Sequence, residues 1–251
     1  MDEITVRFAD KKPREEIRAP VMIEGLPGIG HVGKLVAEHI IQELGAEKVA
    51  DIESIFFPPQ VIIDEEGTVR LANNEIYYYS GNSHQFLFLV GDYQATSGEG
   101  HYLLANAYLD IAEECGVKRV YTLGGYGVGH LVEDPRVLGA VNHPALKESV
   151  EAAGAIVSRD EPGGGIIGAA GLLLGMSLPR GIEGICLMGE TSGYLVDPKS
   201  AASLLRVITT LLEIEIDPTR LEQRAEEMEY MLQKLVDGDR VSQDDELRYF
   251  V

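Results

Sequence analysis

Cysteine is scarce: Cys115 and Cys186 are the only two in 251 residues. That excludes a disulfide framework as the source of stability. Cys115 closes a helix-like stretch and Cys186 sits in an apolar run, so both read as small buried hydrophobes. Basic residues are also few, 21 Lys and Arg against 41 Asp and Glu, for a formal net charge of -20. A chain of that sign repels nucleic-acid phosphates and anionic membranes. It suits solubility or a basic protein partner. Long apolar runs are missing as well. The longest weakly charged stretch, Gly163 to Pro179, is dense in glycine and short of a membrane span. The N-terminus has no basic segment leading into an apolar one, which predicts no signal peptide and a cytoplasmic protein. No two of the six histidines have the spacing of a zinc helix motif, and the reading assigns no metal, cofactor or catalytic residue. What is present is ordinary globular material, 45% hydrophobic and 25% charged, long enough for one or two domains with a sizeable core.

Strand-like and helix-like segments alternate, which predicts an α/β fold. Pro20 to Gly25 reads as a buried strand, His31 to Leu44 as a helix capped by Gly45, and Lys48 to Ser54 as the next strand. Together they form one βαβ unit. Val61 to Leu71 reads as a hairpin turning at Asp64 to Gly67, and Glu75 to Ser80 with Gln85 to Gly91 as two further strands. Gly98 to Cys115 is predicted helical, with Leu103, Ala107, Leu109, Ile111 and Ala112 on its apolar side. A strand from Lys118 to Gly124, a short helix from Pro144 to Ala153, a short strand from Ala155 to Ser158 and a buried strand from Gly181 to Gly189 follow. Gly164, Gly168, Gly171 and Gly175 fall on one face if their segment is helical, which would permit close packing. Asp197-Pro198 and Asp217-Pro218 each supply a capping carboxylate and a first-turn proline for a late helix.

The loudest local motif is Gly25-Leu-Pro-Gly-Ile-Gly-His-Val-Gly-Lys34. Gly28, Gly30 and Gly33 have dinucleotide-loop spacing between a strand and a helix, with Asp51 and Glu53 about where a ribose-binding acid would stand. Against this, Pro27 removes an amide donor and no second unit of the same type follows. A tight strand-to-helix turn satisfies the same glycines and is the simpler reading. Leu35 stands where a P-loop needs a hydroxyl, which removes that class. His31 and His130 sit beside glycines, where capping or packing is the simpler role. Glu190 and Tyr194 follow a buried strand, where open α/β sheets hold ligands. Gly25, Gly28, Gly30, Gly33, Glu190 and Tyr194 are therefore the candidate ligand loop.

The last helix carries Leu221, Ala225, Met228, Leu232 and Leu235 at alternating spacings of four and three, a seam about two heptads long. Packing on its own domain and contact between subunits both fit it. Beyond Gly238, Asp239 to Glu246 is acidic and aperiodic, predicting an unstructured tether. The chain divides on this basis into an α/β domain (1–215), an amphipathic helix (216–238) and an acidic tail (239–251).

Five motifs in order carry a family resemblance: Glu24 to Gly33, Gly124-Gly-Tyr126, Pro162 to Leu174, Gly189-Glu-Thr-Ser-Gly-Tyr194 and Asp197-Pro-Lys-Ser-Ala-Ala202. Over roughly residues 18 to 215 the chain resembles the proteasome assembly chaperone family, in its archaeal branch. The resemblance implies a single three-layer α/β domain with a mixed, largely parallel sheet, similar to nucleoside phosphorylases and hydrolases. It implies a homo-oligomer that binds 20S proteasome α-subunits. Family tails often end in a hydrophobic-tyrosine-any tripeptide that enters pockets between those subunits, its carboxylate pairing with a lysine. Here Tyr249, Phe250 and Val251 take those places. Phe250 lacks the phenolic hydroxyl, which removes a hydrogen bond worth roughly 0.5–1.5 kcal/mol. The alternative is a nucleotide- or nucleoside-binding enzyme built on the Gly25 to Lys34 loop.

Overall fold

The centre of the molecule is a strand segment, Gln85–Gly91, that is apolar on both faces. Such a strand must be covered on both sides, and it is. The computed structural model describes residues 2–9, 16–81, 83–158, 165–228 and 230. Its strands are β1 (Ile4–Phe8), β2 (Val21–Glu24), β3 (Glu47–Ser54), β4 (Val61–Ile63), β5 (Val69–Leu71), β6 (Asn74–Ser80), β7 (Gln85–Gly91), β8 (Arg119–Gly127), β9 (Val137–Val141) and β10 (Glu183–Thr191). The helices are α1 (Val32–Leu44), α2 (Gly98–Glu114), α3 (Lys147–Ala152), α4 (Ala169–Ser177) and α5 (Pro198–Leu212), with residues 219–228 helical after them.

Eight strands form one mixed sheet in the order β1-β3-β6-β7-β2-β8-β10-β9. The central β7, β2, β8 and β10 run parallel, and antiparallel strands flank them on both sides. Alternation along the strands feeds two cores. Met22, Leu87, Leu89 and Val120 meet Leu104, Tyr108 and Leu109 of α2 and Leu173 of α4. Ile23, Phe86, Phe88 and Leu187 meet Val36 and Ile40 of α1 and Leu204, Leu205 and Ile208 of α5 on the other face. The architecture is thus the three-layer α/β arrangement that the resemblance implies.

Helix boundaries follow local chemistry. Gly45 ends α1 in a left-handed conformation, its N–H returned to the Gln42 and Ile41 carbonyls. The Asp197 carboxylate accepts the Ser200 N–H at 2.9 Å, opening α5 at Pro198. β4 and β5 pair as a separate hairpin around Asp64 and Gly67, and Val61, Ile63, Val69 and Leu71 lie exposed on one of its faces.

Four expectations need correction. The β2-α1-β3 unit is present, but β6 and β7 lie between its strands. Leu103 is exposed. Gly100 packs so closely on Phe56 that a Cβ would lie 2.6 Å from the Phe56 Cβ, and the buried face carries Leu104, Tyr108 and Ile111. The glycine stripe is not one helix face, because Gly168 (φ 87°) holds a conformation outside the helical region and α4 starts only at Ala169, while Gly164 lies outside the described residues. The segment after Ala155 contributes a single bridge, Ile156 to Leu138, rather than a strand. The sequence reading also names no strand at β1 or β9, the two short sheet edges.

Candidate functional site at the carboxyl end of the sheet

β2 delivers the chain into the glycine loop, and each glycine there faces particular atoms. A Cβ on Gly25 would lie 2.4 Å from the Ala37 Cβ, and one on Gly33 2.1 Å from the Leu123 carbonyl oxygen. Gly30 has φ 62° and sits against the Thr191 hydroxyl. The Gly30 carbonyl accepts the Asp197 N–H at 2.9 Å. Of the four, Gly28 borders open space, where a Cβ would come no closer than 4.0 Å, to the Gln94 amide. The loop therefore packs α1 onto β8 and stitches β2 to the ends of β8 and β10. His31 is exposed and left-handed (φ 51°) at the start of α1, and the exposed His130 ring contacts the Val128 carbonyl at 3.1 Å.

The acids that a ribose would need are elsewhere. Asp51 and Glu53 lie on β3, and β6 and β7 separate that strand from the loop. Glu53 pairs with Arg7, while Asp51 accepts from Lys48 at 3.0 Å and from the Asn73 amide at 2.7 Å.

Glu190 is buried and committed to Arg136. The guanidinium Nε donates to it at 2.9 Å and the Arg136 backbone N–H at 3.2 Å. Those hydrogen bonds hold its carboxyl below the usual range. Tyr194 is exposed. Glu190 and Tyr194 thus stand apart from the pocket that Gly28 borders.

That pocket has a volume of about 610 Å³ and lies where β2, β8 and β10 end. Gln94 braces its rim: its amide donates to the Pro27 carbonyl at 2.8 Å and its carbonyl accepts the Ala169 N–H at 2.9 Å. Its floor holds Glu24, 1% exposed, whose Oε1 accepts the Leu26 N–H at 2.9 Å. Burial pushes this carboxyl up to about 8, and the Leu26 hydrogen bond offsets only part of that. Sequence reasoning passed over Glu24 as a chemical group. The available signal was an acid ending the apolar run Val21-Met-Ile-Glu24.

Of the helical seam, Leu221 is buried in the core beside α1 and α5, and Ala225 and Met228 border a groove with Leu131, Leu195 and Val196. His39 Nε2 meets the Asp217 carbonyl at 2.7 Å and ties this segment to α1. Leu232, Leu235 and the terminal Tyr249, Phe250 and Val251 lie outside the described residues. Among the described residues no cluster of three His, Cys, Asp or Glu is arranged to hold a metal, and no helix is long and apolar enough to cross a membrane.

Fold and site together define a three-layer α/β protein whose glycine loop is a packing element and whose buried Glu24, with one carboxylate oxygen lacking a partner among the described residues, lines a pocket at the strand ends. The chain belongs to the PAC2 family, whose profile matches residues 22–236. It is 42% identical over 232 residues to protein MJ1210 of Methanocaldococcus jannaschii, covering 92% of this chain and 88% of that one. Its structure is similar to that of Pyrococcus furiosus PbaB, an archaeal proteasome activator, with 42% identity, a TM-score of 0.87, and 94% and 99% of the two chains covered. Pyrococcus furiosus PbaA, an archaeal homologue of proteasome-assembly chaperone, shares the fold at 22% identity and a TM-score of 0.78, with 99% and 98% covered.

Proposed function

We propose that this chain is a non-enzymatic proteasome-binding protein of the assembly-chaperone and activator type. It works in the cytoplasm as a homo-oligomer that engages 20S proteasome α-subunits. The observation that carries this reading is the likeness to the activator PbaB along nearly the whole chain, in sequence and in fold together. The acidic surface supports a basic protein partner over nucleic acid or membrane. The exposed apolar face of the β4–β5 hairpin supports self-association.

The docking element is the terminal Tyr249-Phe250-Val251, carried on the acidic tether that starts after Gly238. One such peptide is a weak ligand. Several on one oligomer act by raising effective concentration, so weak tails suffice. Co-sedimentation of the purified chain with archaeal 20S particles tests this. Removing Tyr249 to Val251 should abolish it. Phe250→Tyr should tighten binding about two- to tenfold by restoring one hydrogen bond. Unchanged binding after the deletion would refute the tail mechanism, and no binding by the full chain would refute the proteasome reading itself.

A further inference from the structure

The pocket above Glu24 plays no part in the proteasome reading above. Its volume, about 610 Å³, is that of a small-molecule site. Its walls are mostly apolar or backbone, from Leu26, Leu123, Ile166, Met188 and the Gly124 to Gly127 strand end, with His101 and the Gln94 amide as polar side chains. Among the described residues no lysine or arginine lines it, and Glu24 is the single acidic side chain. Glu24 Oε2 makes no hydrogen bond among the described residues, although the side chain is almost wholly buried. A buried polar atom without a partner costs free energy, and a ligand that supplies the partner recovers it. The rim is preorganised, because Gln94 is fixed at both ends and Gly168 (φ 87°) leaves no room for a side chain against it.

We propose that this pocket binds a neutral, largely apolar small molecule bearing a lactam edge, with Glu24 as the anchor. A protonated carboxyl offers a donor at Oε2 and keeps an acceptor lone pair at Oε1 beside the Leu26 N–H. A lactam presents the complementary pair, a carbonyl acceptor and an adjacent N–H donor. An anion would meet no lysine or arginine among the described wall residues, and an ammonium ion would have to leave water for a largely apolar chamber. The other titratable groups near Glu24 are Tyr108 from α2, Cys186 from β10, and His101 and Tyr126 on the pocket wall. Burial raises both the Tyr108 phenol and the Cys186 thiol, the latter to about 12, so neither ionises near neutral pH. Binding should therefore fade as pH rises through about 8, when Glu24 loses its proton.

The test is ligand-observed NMR on the full chain with δ-valerolactam and 2-pyridone, and with cyclohexylamine and cyclohexanecarboxylate as the cationic and anionic arms. The lactams should bind at pH 6.5 and weaken tenfold or more by pH 9.5. Glu24→Met should weaken them about tenfold at pH 6.5. Glu24→Gln should abolish the pH dependence, which separates Glu24 from His101 and decides the matter if Glu24→Met fails to fold. Equal lactam binding by Glu24→Met, a pH profile unchanged in Glu24→Gln, tighter binding of either charged probe, or no binding of the lactams at millimolar concentration would each overturn the assignment.

Discussion

Glu24 should make this protein lose stability as the solution turns alkaline. Its carboxyl titrates near 8 in the folded chain against 4.5 for an unperturbed glutamate, because it is buried. A group whose folded pKa is raised favours the folded state below its unfolded pKa, and that contribution is lost as pH rises through the folded pKa. The window is therefore pH 4.5 to 8. Within it each unit should cost about 1.4 kcal/mol, for a total of about 4–5 kcal/mol. That is a large fraction of the 5–15 kcal/mol typical of a folded protein. The assay is urea unfolding of wild type and Glu24→Gln at pH 5, 6, 7, 8 and 9, at fixed protein concentration so that self-association is held constant. The amide cannot ionise. The wild-type-minus-variant difference should thus fall steadily to pH 8 and then level, whatever constant offset the amide introduces. Other titrating groups cancel in that difference. Parallel curves across the whole range would show that Glu24 does not carry a proton into the fold, and the reasoning about the pocket floor would fail with them.

Three further substitutions test packing and ion pairing elsewhere in the fold. Gly33→Ala places a Cβ 2.1 Å from the Leu123 carbonyl oxygen, a backbone atom that cannot swing aside, and should cost about 2–3 kcal/mol in denaturant unfolding. Gly175→Ala, in α4 with nothing within 4 Å, should instead stabilise by about 0.5–1 kcal/mol, so equal effects of the two would refute the packing account. Arg136→Ala strands the buried Glu190 carboxyl and should cost about 1–3 kcal/mol at neutral pH, a range reduced because the arginine is half-exposed. Glu190 has a depressed folded pKa, so its stabilisation is present above the unfolded value and is lost as pH falls through the folded one. Wild type and variant should accordingly converge in acid, and a difference that persists at pH 3 would argue against the ion pair as its source.

The sequence by itself determined the local punctuation of this protein. Gly45 stops α1 because a left-handed cap tolerates glycine, Asp197-Pro198 opens α5 because a carboxylate can take an orphan N–H, and Asp64 to Gly67 turns the β4–β5 hairpin. The doubly apolar β7 announced a covered sheet. These features are legible because they depend on residues within a few positions of one another. Tertiary structure alone decided strand order. With β6 and β7 between β2 and β3, Asp51 and Glu53 stand two strands away from the glycines whose spacing suggested a ribose acid. It also decided what each glycine is for, since the Leu123 carbonyl against Gly33 and the Thr191 hydroxyl against Gly30 come from strands far along the chain. On α2 the apolar spacing put Leu109, Ile111 and Ala112 inward as expected, and only the packing shows that Leu103 faces solvent. Glu24 reads in the chain as one acid among many, and it becomes a raised group with one oxygen lacking a partner only because the fold buries it. Desolvation is a property of the whole surrounding volume, and no local window of sequence contains that volume.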